Sequence, residues 1–170
     1  PELYFGASIH PNRPDSLNEL NWSKENGAVL VKWLPNIQEI DPSNERYIPY
    51  YKRLIDLDLP LLVHTGDEES FTKTNDKLGD PVLLTLPLQL GVKVIAAHVA
   101  SSGKSAGYEK IDRLLGMLEE FPNLVADISS LTQVNKRKNL RKVITDKRLS
   151  GRLLYGTDYP LINTLLVTPL

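Results

Sequence analysis

Three residues carry the chemistry that this sequence most plainly offers: His64, His98 and Asp158. His64 ends an apolar run in PLLVHTG, His98 ends another in VIAAHVAS, and Asp158 follows a third in RLLYGTDYP. Two imidazoles and a carboxylate make a candidate metal set whose remaining valences are open to water or substrate. Those donors suit Zn²⁺, Mn²⁺ or Fe²⁺. Each histidine can equally be a hydrogen-bonded core residue. Against that, the chain has only three histidines, and all follow apolar runs at corresponding places. Asp158 can be a ligand, an orienter of one, or a helix cap. As a ligand beside a metal-activated water it would take the water's proton and pass it to the leaving group. Gly156 permits close backbone approach, and Pro160 fixes the exit of the loop.

Weaker candidates stand at the same level of the chain pattern. His10, in GASIHP, either faces substrate or belongs to a turn set by Pro11. Lys32 either binds a substrate carboxylate, carries a carbamate between two metals, or lies on the solvent side with its stem packed on Trp33. Asp127 either braces backbone or points outward. SSGKSAG contains the tail of a phosphate loop, but the position of the required first glycine holds His98. It reads as a flexible rim near His98. The basic cluster from Lys136 to Arg152 reads as the wet face of an outer helix, because Leu140, Val143 and Ile144 form its apolar stripe.

Six apolar runs must position these residues: 3–9, 28–34, 60–65, 92–99, 124–129 and 152–157. Most are continuous rather than alternating, as in strands buried on both faces of a parallel sheet. Helical patterns separate them. Tyr47, Tyr50, Tyr51, Leu54 and Ile55 form one stripe, with Asp41–Pro42 as its start. Asp80–Pro81 opens the next, with Val82, Leu83, Leu86 and Leu90. Ile111, Leu114, Leu115 and Leu118 mark another, stopped at Phe121–Pro122. Leu17, Leu20 and Trp22 mark a shorter helix. The alternation predicts an α/β protein with right-handed crossovers, either an open doubly wound sheet or part of a (β/α)₈ TIM-barrel-like ring. Polar residues at the ends of successive strands converge only if the strands curve into a ring, which favours the barrel.

Composition narrows the function classes. The 170 residues suit one domain with a real core, and 41 % apolar with 24 % charged residues is ordinary globular composition. A net charge of −1 gives no general attraction to nucleic acid. The absence of cysteine excludes disulfides and thiolate chemistry. No apolar run approaches the ~20 residues of a membrane span, and no leader-like segment opens the chain, so a cytoplasmic protein is expected.

Taken in order, GASIHP, AVLVKWLPN, LPLLVHTG, VKVIAAHVAS, FPNLVADISS and LLYGTDYP resemble the amidohydrolase superfamily, specifically the amidohydrolase-2 type of metal-dependent hydrolases. The resemblance implies a distorted (β/α)₈ barrel with a His-x-His pair on its first strand. It implies that His64, His98 and Asp158 are metal ligands on the fifth, sixth and eighth strands, with His98 and Asp158 also catalytic. The metal implied is a divalent ion, Zn²⁺ first. The six runs then count as strands three to eight, predicting one domain over 1–170 that lacks two strands, the His-x-His pair and the last part of its barrel. The implied activity is hydrolysis of a small-molecule amide, lactone or ester, or else decarboxylation of an aromatic or unsaturated carboxylic acid; a catalytically silent barrel fragment is the third reading. His10 and Lys32 are candidate substrate contacts, and self-association stays open.

Overall fold

The apolar runs form one sheet in which every neighbour is parallel. The computed structural model describes residues 3–68, 71, 74–133 and 136–159. In chain order the elements are β1 (Phe5–Ala7), α1 (Ser16–Glu25), β2 (Ala28–Trp33), α2 (Pro35–Gln38), α3 (Ile48–Asp56), β3 (Leu61–His64), α4 (Thr85–Leu90) and β4 (Val94–Ala97). A small antiparallel hairpin of β5 (Lys104–Ser105) and β6 (Tyr108–Glu109) follows, then α5 (Lys110–Glu120), β7 (Leu124–Asp127), α6 (Arg137–Thr145) and β8 (Leu153–Leu154). The main sheet runs β1-β2-β3-β4-β7-β8. The order never reverses, so right-handed crossovers place the connecting helices on one face. A doubly wound sheet reverses its order at a switch point. The structure is therefore the barrel alternative, six strands of an α/β ring.

Register shows what the one-sided covering does. Val31 pairs with Leu61, Leu61 with Val94, and Val94 with Leu124, and all four are buried beneath the helices. One residue on, Lys32, Leu62, Ile95 and Val125 align on the opposite, inner face and are only half-buried. The expectation of strands buried on both faces thus holds for one face. At the first edge Leu3, Tyr4 and Phe5 are exposed.

Trp33 anchors the covering layer. It is fully buried, and its ring centroid lies 6.1, 5.2 and 5.9 Å from those of Tyr47, Tyr50 and Tyr51. The indole N–H and the Tyr50 hydroxyl both donate to the Ile9 carbonyl, at 3.0 and 2.9 Å. Buried aromatics thereby keep their polar atoms satisfied. Because strand side chains alternate, fixing Trp33 outward fixes Lys32 inward.

Some helix phases differ from the sequence pattern. Asp41 accepts from Ser43 in a local turn, while Asn44 caps the 3₁₀ turn Glu45–Tyr47 that leads into α3. Asp80 does cap, accepting from Val82 N at 3.0 Å, but it opens a 3₁₀ turn, Pro81–Leu84, before α4. Three residues per turn rotate the stripe, so Leu84 and Leu88 are buried and Val82 is exposed. In α1, Leu20 is buried with Ser16 and Ser23, whereas Trp22 is exposed; Ile55 and Ile144 are exposed as well. The α5 stripe is buried throughout. The basic cluster is partly a set of braces: Lys142 pairs with Asp112, Arg148 with Asp146, and Arg152 Nη1 donates to Leu118 O at 2.6 Å. Among the described residues no helix is long and apolar enough to cross a membrane.

Trp33→Ala is expected to lower the unfolding free energy by about 3–5 kcal/mol, read from urea denaturation. A loss below about 1 kcal/mol would contradict its role as the anchor of the helix layer.

Candidate functional site

Parallel register brings the strand ends together. His64 pairs with Ala97 on the inner face, and Asp127 lies at the same level on β7. His98 follows Ala97 directly. The rings of His64 and His98 are 4.9 Å apart, centre to centre. Asp158 Oδ1 lies 4.0 Å from His98 Nε2. The three residues singled out from the sequence are therefore neighbours in the fold.

His98 sits on a turn of unusual backbone. His98, Val99 and Ala100 have φ of 63°, 51° and 49°. Three consecutive left-handed residues without glycine cost roughly 1–2 kcal/mol each. The turn is held from both neighbouring strands. Asp127 Oδ1 accepts from His98 N at 2.9 Å and also takes Ser129 N at 2.9 Å and the Ser129 hydroxyl. Thr65, just past β3, donates to Ala97 O at 2.6 Å and accepts from Ala100 N at 3.0 Å. Asp127 is thus a backbone brace. Ser129 also receives the imidazole: its carbonyl lies 3.1 Å and its hydroxyl 2.7 Å from His98 Nδ1. A carbonyl only accepts, so Nδ1 carries the hydrogen and Nε2 faces Asp158.

His64 has the same orientation by a different partner. Its Nδ1 lies 3.5 Å from the Glu68 carboxylate, and both side chains are buried. Its Nε2 is buried and, among the described residues, has no hydrogen-bond partner. Burial, helped by His98 and Lys32, pushes the His64 pKa down to about 3, so the ring is neutral at physiological pH. Burial also lowers the His98 pKa, with Lys32 adding to it and Asp158 opposing.

Lys32 faces this cluster. Burial lowers its pKa, and Asp127, Asp158 and Glu68 each oppose that change. The solvent-side alternative for Lys32 does not match this placement. His10 is engaged elsewhere: Nε2 donates to Gln38 O at 2.9 Å, and Nδ1 accepts from Asn12 N at 3.1 Å. Both ring nitrogens of His10 are thus taken by backbone groups, one of them in the turn before α1. Gly156 has the role its position suggested, since a Cβ there would lie 3.0 Å from Ser129 Cβ. Asp158 itself has φ of 61°. Pro160 lies outside the described residues. The SSGKSAG stretch contains β5 and turns into β6, with Lys104 paired to Glu109 at 3.0 Å, so it forms a hairpin at the rim.

Do these residues fit a divalent metal? The donor types do, because both imidazoles have Nδ1 beside an acceptor, which leaves Nε2 for an ion, the arrangement usual for ligating histidines. The orphaned Nε2 of His64 is the strongest sign, since a buried polar atom without a partner costs about 1–3 kcal/mol. The cage is incomplete: among the described residues no group of three or more His, Cys, Asp or Glu stands in geometry to hold an ion. Glu68, Thr65 and Ser129 escaped the sequence reading, because loop acids and hydroxyls have no periodicity to mark them.

Asp127→Ala removes the acceptor of three donors and is expected to cost about 3 kcal/mol in stability by denaturant titration. The depressed His64 pKa has a defined sign. Between pH 6.5 and about 3 the unfolded state protonates this ring and the folded state does not. Stability of the metal-free chain should therefore fall as pH drops through that window, His64 contributing a slope of about 1.4 kcal/mol per pH unit. His64→Gln should remove that share of the slope.

The comparisons with known proteins agree with the barrel fold. The chain aligns in structure with a TIM-barrel protein from Bordetella bronchiseptica at TM-score 0.72 and 17 % identity, covering 92 % of this chain and 54 % of that one. A putative 2-pyrone-4,6-dicarboxylic acid hydrolase from Pseudomonas putida aligns at TM-score 0.62 and 15 % identity, over 95 % and 57 %. A 2,6-dihydroxybenzoate decarboxylase from Rhizobium aligns at 0.62 and 13 %, over 94 % and 61 %. At these identities the likeness is one of fold, and the chain spans little more than half the length of these structures. No curated protein sequence matches it. The amidohydrolase family model matches residues 5–165, nearly the whole chain, and the protein belongs to the amidohydrolase family.

Proposed function

We propose that His64, His98 and Asp158 are part of the metal site of a hydrolase acting on a small-molecule amide, lactone or ester. The observation that carries this reading is the buried, unpartnered Nε2 of His64 beside His98, whose own Nε2 faces Asp158. A divalent cation, Zn²⁺ before Mn²⁺ or Fe²⁺, supplies Lewis acidity and a nucleophilic water at neutral pH when bound. The chain's own residues do the rest. Glu68 and Ser129 hold the two imidazoles so that neither ring turns its N–H toward the ion. Lys32, half-buried on the inner face with Asp127, Asp158 and Glu68 nearby, orients a polar group of the substrate. Asp158 takes a proton from the attacking water and returns it to the leaving group.

The Rhizobium neighbour is a decarboxylase, and the Pseudomonas neighbour is described as a hydrolase. A Lys32 contact to a polar group of the substrate serves either reaction, so the product decides between them. Incubation with a lactone panel is expected to give the ring-opened acid. Release of CO₂ from a carboxylic-acid panel without addition of water would replace hydrolysis by decarboxylation.

Metal affinity tests the site independently of turnover. Titration with Zn²⁺ by calorimetry should show binding that His64→Ala and His98→Ala each weaken by at least about tenfold. Equal stoichiometry and affinity in both variants and the parent would remove the metal assignment.

A further inference from the structure

The loop after β3 is tied down far more heavily than a surface connection needs. Lys110, the first residue of α5, is 2 % exposed, and its ammonium donates to Asp67 Oδ1 and to Asp76 O, both at 2.6 Å. Asp76 Oδ1 accepts from Glu68 N at 3.0 Å and from Asn36 Nδ2 at 2.9 Å. Asn36 Nδ2 reaches Gly66 O at 3.1 Å, and Gly66 N donates to Gly79 O at 2.8 Å. Asp67 is gripped by Ser102, whose hydroxyl donates to Asp67 O at 2.9 Å and whose carbonyl accepts from Asp67 N at 3.2 Å. Gly103 has no room for a side chain: a Cβ there would lie 2.1 Å from Asp67 Oδ1. Three successive residues, 66 to 68, are thus fixed by partners in α2, α5 and the segments around Asp76 and Ser102.

Burying an ammonium is costly even when it is paired, and an apolar residue of similar volume often serves stability as well. The clamp therefore calls for a positional reason. What it positions is Glu68, whose carboxylate faces Nδ1 of His64 at 3.5 Å. A carboxylate only accepts, so it favours the ring form with hydrogen on Nδ1 and leaves the Nε2 lone pair free.

We propose that Glu68 is a positioning residue that sets the tautomer and ring orientation of His64, and that the Lys110–Asp67–Asp76 clamp holds Glu68 in place. The inference deepens the metal reading and rests on it for its purpose, because only the Nδ1–H form offers Nε2 to a cation. It is tested without metal, so its failure is distinguishable from failure of the metal site.

Ring nitrogens of the ¹⁵N-labelled, metal-free chain report directly which nitrogen bears hydrogen, and the chain has only three histidines. His10 is an internal contrast, since its contacts require the Nε2–H form. At neutral pH the long-range ¹H–¹⁵N spectrum should show His64 as Nδ1–H and His10 as Nε2–H. Glu68→Gln, which keeps an acceptor, should retain that pattern. Glu68→Ala and Lys110→Met should each cost the Nδ1–H form of His64 its predominance while His10 is unmoved. An Nε2–H signal for His64 in the unmutated chain would overturn the proposal before any variant is made. An unchanged His64 in Glu68→Ala would overturn the role of Glu68, and in Lys110→Met the role of the clamp.

Discussion

The Asp127 carboxylate, accepting the backbone N–H of His98, is the interaction on which the rest of the site depends. It reaches from the end of one strand into the turn of the next and offsets part of the strain of three left-handed residues. Thr65 does the same from the opposite strand. Without these acceptors and donors the chain after Ala97 would relax toward an ordinary turn, and His98 would leave the ring of His64. Strain of this kind persists where the surroundings over-determine the backbone. Here the side chains of Asp127, at the end of β7, and Thr65, just past β3, do so, and Val99 and Ala100 of the turn are buried.

The sheet explains why those side chains meet. Parallel neighbours in unbroken order bring every strand to its C-terminal end on the same side. The outer face is spent on packing, with Val31, Leu61, Val94 and Leu124 beneath the helices. The inner face is left for polar work, and it carries Lys32, His64 and Asp127 at one end. Packing and chemistry are thereby separated by strand alternation alone. Trp33 and Lys32 illustrate it: adjacent residues, one locked among three tyrosines and the other facing the acids of the site.

The two histidines reach the same orientation by unlike means. His98 is held by the carbonyl and hydroxyl of Ser129, on a loop braced by Asp127. His64 faces a carboxylate from its own following loop, and that loop is fixed by distant elements through Lys110 and Asn36. In both, Nδ1 lies beside an acceptor; Nε2 of His64 is buried without a partner among the described residues, and Nε2 of His98 faces Asp158. Agreement from independent partners is what a site selected for Nε2 donors would require.

By itself the sequence determined the strands, the α5 stripe and the identity of His64, His98 and Asp158, because apolar runs and strand-end polar residues are local patterns. It also marked Gly156, whose lack of a side chain lets its segment pass against Ser129. It left open whether Lys32 faced solvent or the site, and what Asp127 did. Only the tertiary structure decided these, and only it brought in Glu68, Thr65 and Ser129. The physical reason is the same for each. Alternation assigns a residue to one of two faces, but which face is inner depends on where the helices pack. A loop carboxylate becomes a partner of His64 only when residues far along the chain, Lys110 and Asp76, fix where the loop runs.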